Sequence, residues 1–152
     1  ILALEMCERA ELSEAVADAV IGLGLPVWIG VSARTHQGHT QLATASYADC
    51  SFEETVKRIS SYPVDLVNIM HTQVPDVDRA FEIVRRYWSG PVGIYPESGF
   101  FAMPNWNFVD VISPEDLVAE ANIWVKNGVR LLGGCCGLGP DHIRALADMD
   151  CE

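Results

Sequence analysis

The chain has 152 residues, enough for one domain with a core of its own. Its formal charge is −11, and its densest basic spot is Arg85-Arg86; such a surface repels phosphate backbones and anionic lipid, which argues against nucleic acid as a partner. No run of about 18 apolar residues appears, so no transmembrane helix is expected.

The opening Ile1-Leu2-Ala3-Leu4-Glu5 reads as a buried strand entered midway rather than as a signal peptide, which leads us to expect further strands upstream. A helix is expected from about Ser13 to Leu23, where Ala15, Val16, Ala19, Val20 and Leu23 recur at helical spacing before Gly24. Pro26 to Val31 is a second strand, and the polar stretch from Ser32 to Asp49 a long loop. Ser51 and Glu54 form a capping box that starts a helix at Phe52, running to about Ser60. Val64 to Met70 is a third strand. Asp76 is expected to cap a helix that turns Val77, Ala80, Phe81, Val84 and Trp88 inward. Pro91 to Tyr95 is a fourth strand, followed by a second long loop to Ile112. Ser113-Pro114-Glu115-Asp116 is a helix start, with Ser as N-cap, Pro in the first turn and acids near the positive end of the dipole. Leu117, Ala121, Trp124 and Val125 form that helix's apolar stripe, and Gly128 ends it. Val129 to Leu132 is a fifth strand, and Pro140 to about Met149 the last helix.

Strand and helix thus alternate about five times, which implies a parallel sheet with right-handed crossovers. A doubly wound sheet and part of an eight-stranded barrel both fit this pattern. No Gly-x-Gly-x-x-Gly follows the first strand, so a dinucleotide fold loses ground. Five strands cannot close a barrel that takes roughly 250 residues, so the barrel reading requires strands upstream.

Five cysteines, two of them adjacent, make a poor disulfide framework and fit a reducing cytoplasm. In Gly133-Gly134-Cys135-Cys136-Gly137, glycines let the backbone bend so that both sulfurs face one centre. A disulfide between neighbours is strained, which leaves shared metal ligation, with thiophilic, tetrahedral Zn2+ as the natural ion. The competing reading is two small residues packed in a glycine-rich turn. Two sulfurs leave a site incomplete; a third ligand and one open position would make it catalytic.

The segment from Gly133 to Leu146, Gly-Gly-Cys-Cys-Gly-Leu-Gly-Pro-Asp-His-Ile-Arg-Ala-Leu, resembles the closing signature of the homocysteine S-methyltransferase family. That family includes betaine–homocysteine methyltransferase, S-methylmethionine-dependent enzymes and the homocysteine module of cobalamin-dependent methionine synthase. Supporting segments are Ile1–Glu5 with Glu11 and Glu14-Ala15, Pro26–Ile29, and Tyr95-Pro96-Glu97-Ser98-Gly99, where the family usually has Asn after Pro. The resemblance implies that residues 1–152 are the C-terminal part, about strands 4 to 8, of a (β/α)8 TIM barrel. It implies a cytoplasmic enzyme that transfers a methyl group from a small-molecule donor to the thiol of homocysteine, giving methionine.

Zinc in that family is held by three cysteines. Two of them carry over to Cys135 and Cys136, and at the place of the third this sequence has His71. Histidine is a good zinc ligand, so a His71-Cys135-Cys136 set is chemically sound. Neutral imidazole in place of a thiolate removes one negative charge from the site, which points to a more reactive donor or an altered substrate. Glu5 stands where the family places an acid that holds the homocysteine amino group, although Met6 follows it in place of the usual Thr. The alternative to methyl transfer is a non-catalytic or divergent zinc- and thiol-binding barrel protein acting on another small molecule.

Among the remaining candidates, His36 and His39 fall in the first long loop and read as exposed polar residues. Cys7 and Cys50 read as packing residues, and His142 as a surface residue of the last helix. Phe100-Phe101 and Trp106, in the second long loop, are placed to cover a substrate or seal the top of the barrel.

Overall fold

The computed structural model describes residues 1–104 and 107–149. The strands and helices in chain order are β1 (Leu2–Leu4), α1 (Ala10–Val20), β2 (Val27–Val31), β3 (Ala33–Arg34), β4 (Ala43–Thr44), α2 (Phe52–Ile59) and β5 (Leu66–Gln73). They continue as α3 (Val74–Tyr87), β6 (Val92–Glu97), β7 (Phe100–Ala102), β8 (Asn107–Val109), α4 (Pro114–Lys126), β9 (Leu131–Leu132) and α5 (Pro140–Ala147). β1, β2, β5, β6 and β9 form one sheet in that order, and every pairing in it is parallel.

Parallel strands with helical returns bring all five C-terminal strand ends to one edge of the sheet. Side chains alternate across the strands. One face presents Val27, Ile29, Val31, Val67, Ile69, Val92 and Ile94, all buried against Phe52, Val56, Val77, Val84, Leu117 and Trp124 from α2, α3 and α4. The other face carries Trp28, Asn68, Met70 and Tyr95, with Gly30 lying beside Asn68 and Asn68 beside Gly93. A Cβ on Gly30 would come within 2.8 Å of Met70 Sδ, so the smallest residue is what lets Met70 and Tyr95 pack over β2.

The helix starts follow their chemistry. Ser51 Oγ accepts from Glu54 N–H at 3.3 Å, and Ser113 Oγ accepts from Asp116 N–H at 3.1 Å. Gly128, at φ +95°, ends α4.

Several expectations shift. α1 begins at Ala10 and buries Ala10, Ser13 and Ala17, whereas Ala15, Val16 and Ala19 are exposed. Apolar residues surround this helix, so spacing alone allowed two faces; Glu11 and Glu14 settle the rotation by pairing with Arg58 of α2. Asp76 lies in the first turn of α3 rather than at its cap, which is Gln73. Its carboxylate instead accepts from Thr35 N–H at 2.9 Å and from Thr35 Oγ1 at 2.7 Å. Both long loops contain short antiparallel pairs, β3 with β4 and β7 with β8, too brief to leave a periodic signal. No described helix is long and apolar enough to cross a membrane.

Candidate metal centre

His71 comes from the C-terminal end of β5, within the strand rather than just past it. Its φ is +45°, and the register with β6 shifts between Met70 and Gln73. Such a break turns one side chain out of the strand's alternation, at a conformational cost of about 1–3 kcal/mol. Cys135 and Cys136 follow β9 and are pinned to β6 by backbone bonds: Cys135 N–H donates to Pro96 O at 2.8 Å, and Ser98 N–H donates to Cys136 O at 3.0 Å. Gly137, at φ +81°, closes this turn; a Cβ there would lie 2.0 Å from Ser98 O, so only glycine fits.

These elements bring the three predicted ligands together. One donor atom each from His71, Cys135 and Cys136 lies within 4.8 Å of the others. Cys135 Sγ is 3.6 Å from His71 Nδ1 and 3.9 Å from Cys136 Sγ. A tetrahedral ion with Zn–S near 2.3 Å and Zn–N near 2.05 Å requires about 3.6 Å between nitrogen and sulfur and about 3.8 Å between sulfurs. The donor set fits such an ion in chemistry, and the two spacings through Cys135 match it.

Glu97, at the end of β6, completes the surroundings. It is buried, and its Oε2 lies 2.8 Å from His71 Nδ1. Its Oε1 accepts from Arg34 at 2.6 Å and from Gln73 at 3.1 Å. The charges shape the metal-free site. Hydrogen bonding to Cys135, then to Glu97, pushes His71 up to about 10. The same contact with His71 holds the Cys135 thiol below its usual range. Burial, followed by the neighbouring Cys135, raises Cys136. Burial works to raise the Glu97 carboxyl, but His71 and Arg34 prevail and hold it low. Glu97 stood out in the sequence only as a departure from the usual Asn; its contact with His71 depends on the turn of the β5 backbone at residue 71.

A cavity of about 560 Å³ opens beside this group, lined by His71, Cys136, Glu97 and Arg34 with Phe100 and Phe101. Phe100 and Phe101 line this cavity, while Trp106 lies outside the described residues.

Glu5 is not in that cavity. It is exposed just past β1 and lines a separate space of about 490 Å³ with Cys7, Leu12 and Tyr47. Tyr95 links the two regions: its hydroxyl is raised by burial first, then by Glu5 and by Cys135.

The other candidates resolve into structural roles. Cys7 is buried in the core, and Cys50 is half-buried before α2. His36 is half-buried with Nε2 2.8 Å from Thr44 O, while His39 is exposed. His142 is not a free surface residue: Nδ1 accepts from Gly139 N–H at 3.1 Å and Nε2 lies 2.7 Å from Ile112 O, tying α5 to the segment before α4.

Residues 1–149 match the family model for homocysteine S-methyltransferase. The chain belongs to the homocysteine S-methyltransferase family. It is 30% identical over 124 residues to homocysteine S-methyltransferase YbgG of Bacillus subtilis (strain 168), covering 79% of this chain and 36% of that protein. It is 25% identical over 152 residues to a selenocysteine methyltransferase of Astragalus bisulcatus, covering 96% and 43%. The metallated form of the homocysteine methyltransferase MmuM from Escherichia coli superposes with a TM-score of 0.67 at 21% identity, over 96% of this chain and 43% of that one. The five-stranded α/β fold is therefore shared with a solved member of the family. The chain spans about two-fifths of the length of these relatives.

Proposed function

We propose that this chain forms the thiol- and metal-binding part of a zinc-dependent homocysteine S-methyltransferase that produces methionine. In this reading residues 1–152 are the later strands and helices, about the fourth to the eighth, of a (β/α)8 barrel. The observation that carries it is the convergence of His71, Cys135 and Cys136 at the C-terminal strand edge, where the two spacings through Cys135 match a tetrahedral ion. Family membership supplies the reaction class.

His71, Cys135 and Cys136 would hold Zn2+, and a zinc ion supplies Lewis acidity that lowers the pKa of a bound thiol, so the thiolate forms at neutral pH. The chain's own residues do the rest. The turn at Gly137 and the bonds from Cys135 and Cys136 to β6 hold the two sulfurs in place before any ligand arrives. Phe100 and Phe101 border the adjoining cavity, where apolar walls limit water around a reacting methyl group. In this reading Glu5 would pair with the substrate ammonium, although it lines a space separate from the one beside the metal ligands. Free thiols suit a reducing cytoplasm.

The test is metal analysis and methyl transfer on the complete gene product. Stoichiometric zinc, and methionine formed from homocysteine with a sulfonium, ammonium or folate donor, would uphold the proposal. Zinc without methyl transfer to homocysteine would point instead to a divergent barrel protein acting on another thiol. Absence of bound metal would refute the site.

A further inference from the structure

We propose that Arg34 is a substrate-anchoring residue: in the cavity beside His71 and Cys136, its guanidinium takes the carboxylate of the small molecule whose thiol or methyl group reacts there. The inference rests on the reading of this cavity as the methyl-transfer site. It deepens that reading by naming the substrate class, small acids with a free carboxylate.

Three observations carry it. Arg34 lines the cavity with donors to spare. Its Nη2 donates to Glu97 Oε1 at 2.6 Å, and among the described residues its Nη1 and Nε have no protein partner. A guanidinium presents its N–H groups as a flat fork that matches a carboxylate, so the unused nitrogens form a ready docking edge. The fork is also held before any ligand arrives. Glu97, 5% exposed, grips it, and Gln73 donates to the same Glu97 oxygen at 3.1 Å. The backbone beneath is fixed as well: Arg34 pairs with Ala43 in the β3–β4 ladder, and the buried Ala33 N–H donates to Thr72 Oγ1 at 2.9 Å. A side chain already ordered loses little entropy on binding. Finally, the surroundings suit a small monoanion. Phe100, Phe101 and Phe108 give the cavity aromatic walls, as in sites that orient a ligand through a few polar contacts. Asp76 and Glu97 also border it, and two acids against one guanidinium disfavour a doubly charged phosphate.

Glu97 touches both Arg34, at 2.6 Å, and His71 Nδ1, at 2.8 Å. The guanidinium is therefore one carboxylate away from the proposed metal ligand, a span that the two ends of a short thiol acid or sulfonium acid can bridge.

The experiment measures dissociation constants by calorimetry on the complete gene product, with Zn2+ supplied. The probes are homocysteine, S-methylmethionine and their decarboxylated counterparts, aminopropanethiol and aminopropyl dimethylsulfonium. Arg34→Gln is expected to weaken at least one of the two acids about tenfold or more, and to move its decarboxylated counterpart less than about twofold. Arg34→Lys keeps the charge but not the fork, and should fall between wild type and Arg34→Gln. A selective loss for homocysteine assigns the contact to the thiol acceptor, and one for S-methylmethionine assigns it to the methyl donor; either upholds the proposal.

Equal losses for each acid and its decarboxylated counterpart would make Arg34 a structural residue and overturn the proposal. Unchanged binding of both acids, or a wild-type protein that binds neither, would do the same. If Arg34→Gln fails to fold, Arg34→Lys decides by the same comparison. Zinc content, measured on each sample, tests the metal reading separately. A wild-type protein that takes up no Zn2+ sinks that reading, whereas zinc-replete protein whose binding ignores Arg34 sinks only this one.

Discussion

Gly137→Ala tests whether the turn after β9 builds the centre. Alanine at φ +81° costs about 1–2 kcal/mol from the left-handed backbone alone. The new Cβ also falls 2.0 Å from Ser98 O, far inside contact distance. Either the Ser98 segment or the Cys135–Leu138 turn must move, and the bond from Ser98 N–H to Cys136 O, 3.0 Å long, is the first to break. A lost bond of that kind adds about 0.5–1.5 kcal/mol, for a total of about 1.5–3.5 kcal/mol. The displacement moves Cys136 relative to Cys135 and His71, so Zn2+ affinity should fall at least about tenfold. Urea unfolding and chelator competition read the two effects. Gly38→Ala is the control, because Gly38 sits at φ +80° with no atom within 4 Å of the added Cβ. It should lose only the backbone contribution and bind zinc normally. Wild-type zinc affinity in Gly137→Ala would refute the claim that this turn sets the sulfur positions.

His71→Ala removes one of three donors and should abolish tight Zn2+ binding in the chelator assay while the fold persists by circular dichroism; unchanged binding would take His71 out of the site. Phe52→Ala, at a fully buried position between α2 and the sheet, should lower unfolding free energy by about 3–5 kcal/mol in urea, and a loss under 1 kcal/mol would contradict the packing described. The metal-free protein should show a pH signature of the His71–Cys135 contact, read as wild type minus His71→Gln in urea titrations. His71 is raised from 6.5 to about 10, so its contribution is present below 6.5 and lost as pH climbs through 10. Cys135 is lowered from 9.0, so its contribution is present above 9.0 and lost as pH falls through the depressed value. Above about 9 the unfolded groups have lost both protons while the folded pair keeps the one on His71, so the difference should decline from there through pH 10. A difference still rising at pH 10 would contradict the contact.

Much of this architecture is written in local chemistry. Ser51 and Ser113 announce α2 and α4 because each hydroxyl accepts an N–H that any helix start leaves open. The strands were legible as short apolar runs because β2, β5 and β6 are buried along most of their length. The rotation of α1 was not, since its apolar residues nearly encircle it and the choice of face falls to Arg58, more than forty positions away in sequence. Asp76 read as a cap because acids favour helix starts, yet Thr35 offered it two donors that no local pattern reveals.

The candidate centre divides along the same line. Cys135 and Cys136 are neighbours in sequence, flanked by glycines, so their joint role needs no tertiary information. His71 was found only because a family resemblance aligned it, and nothing in Asn68-Ile69-Met70 predicts the left-handed backbone that turns its ring toward the sulfurs. Glu97 lies one step further out of reach. Its contact with the ring at 71 depends on the broken register between β5 and β6. For this reason a metal centre read from sequence gains its adjacent ligands before the distant one, whose direction a local break in strand register decides.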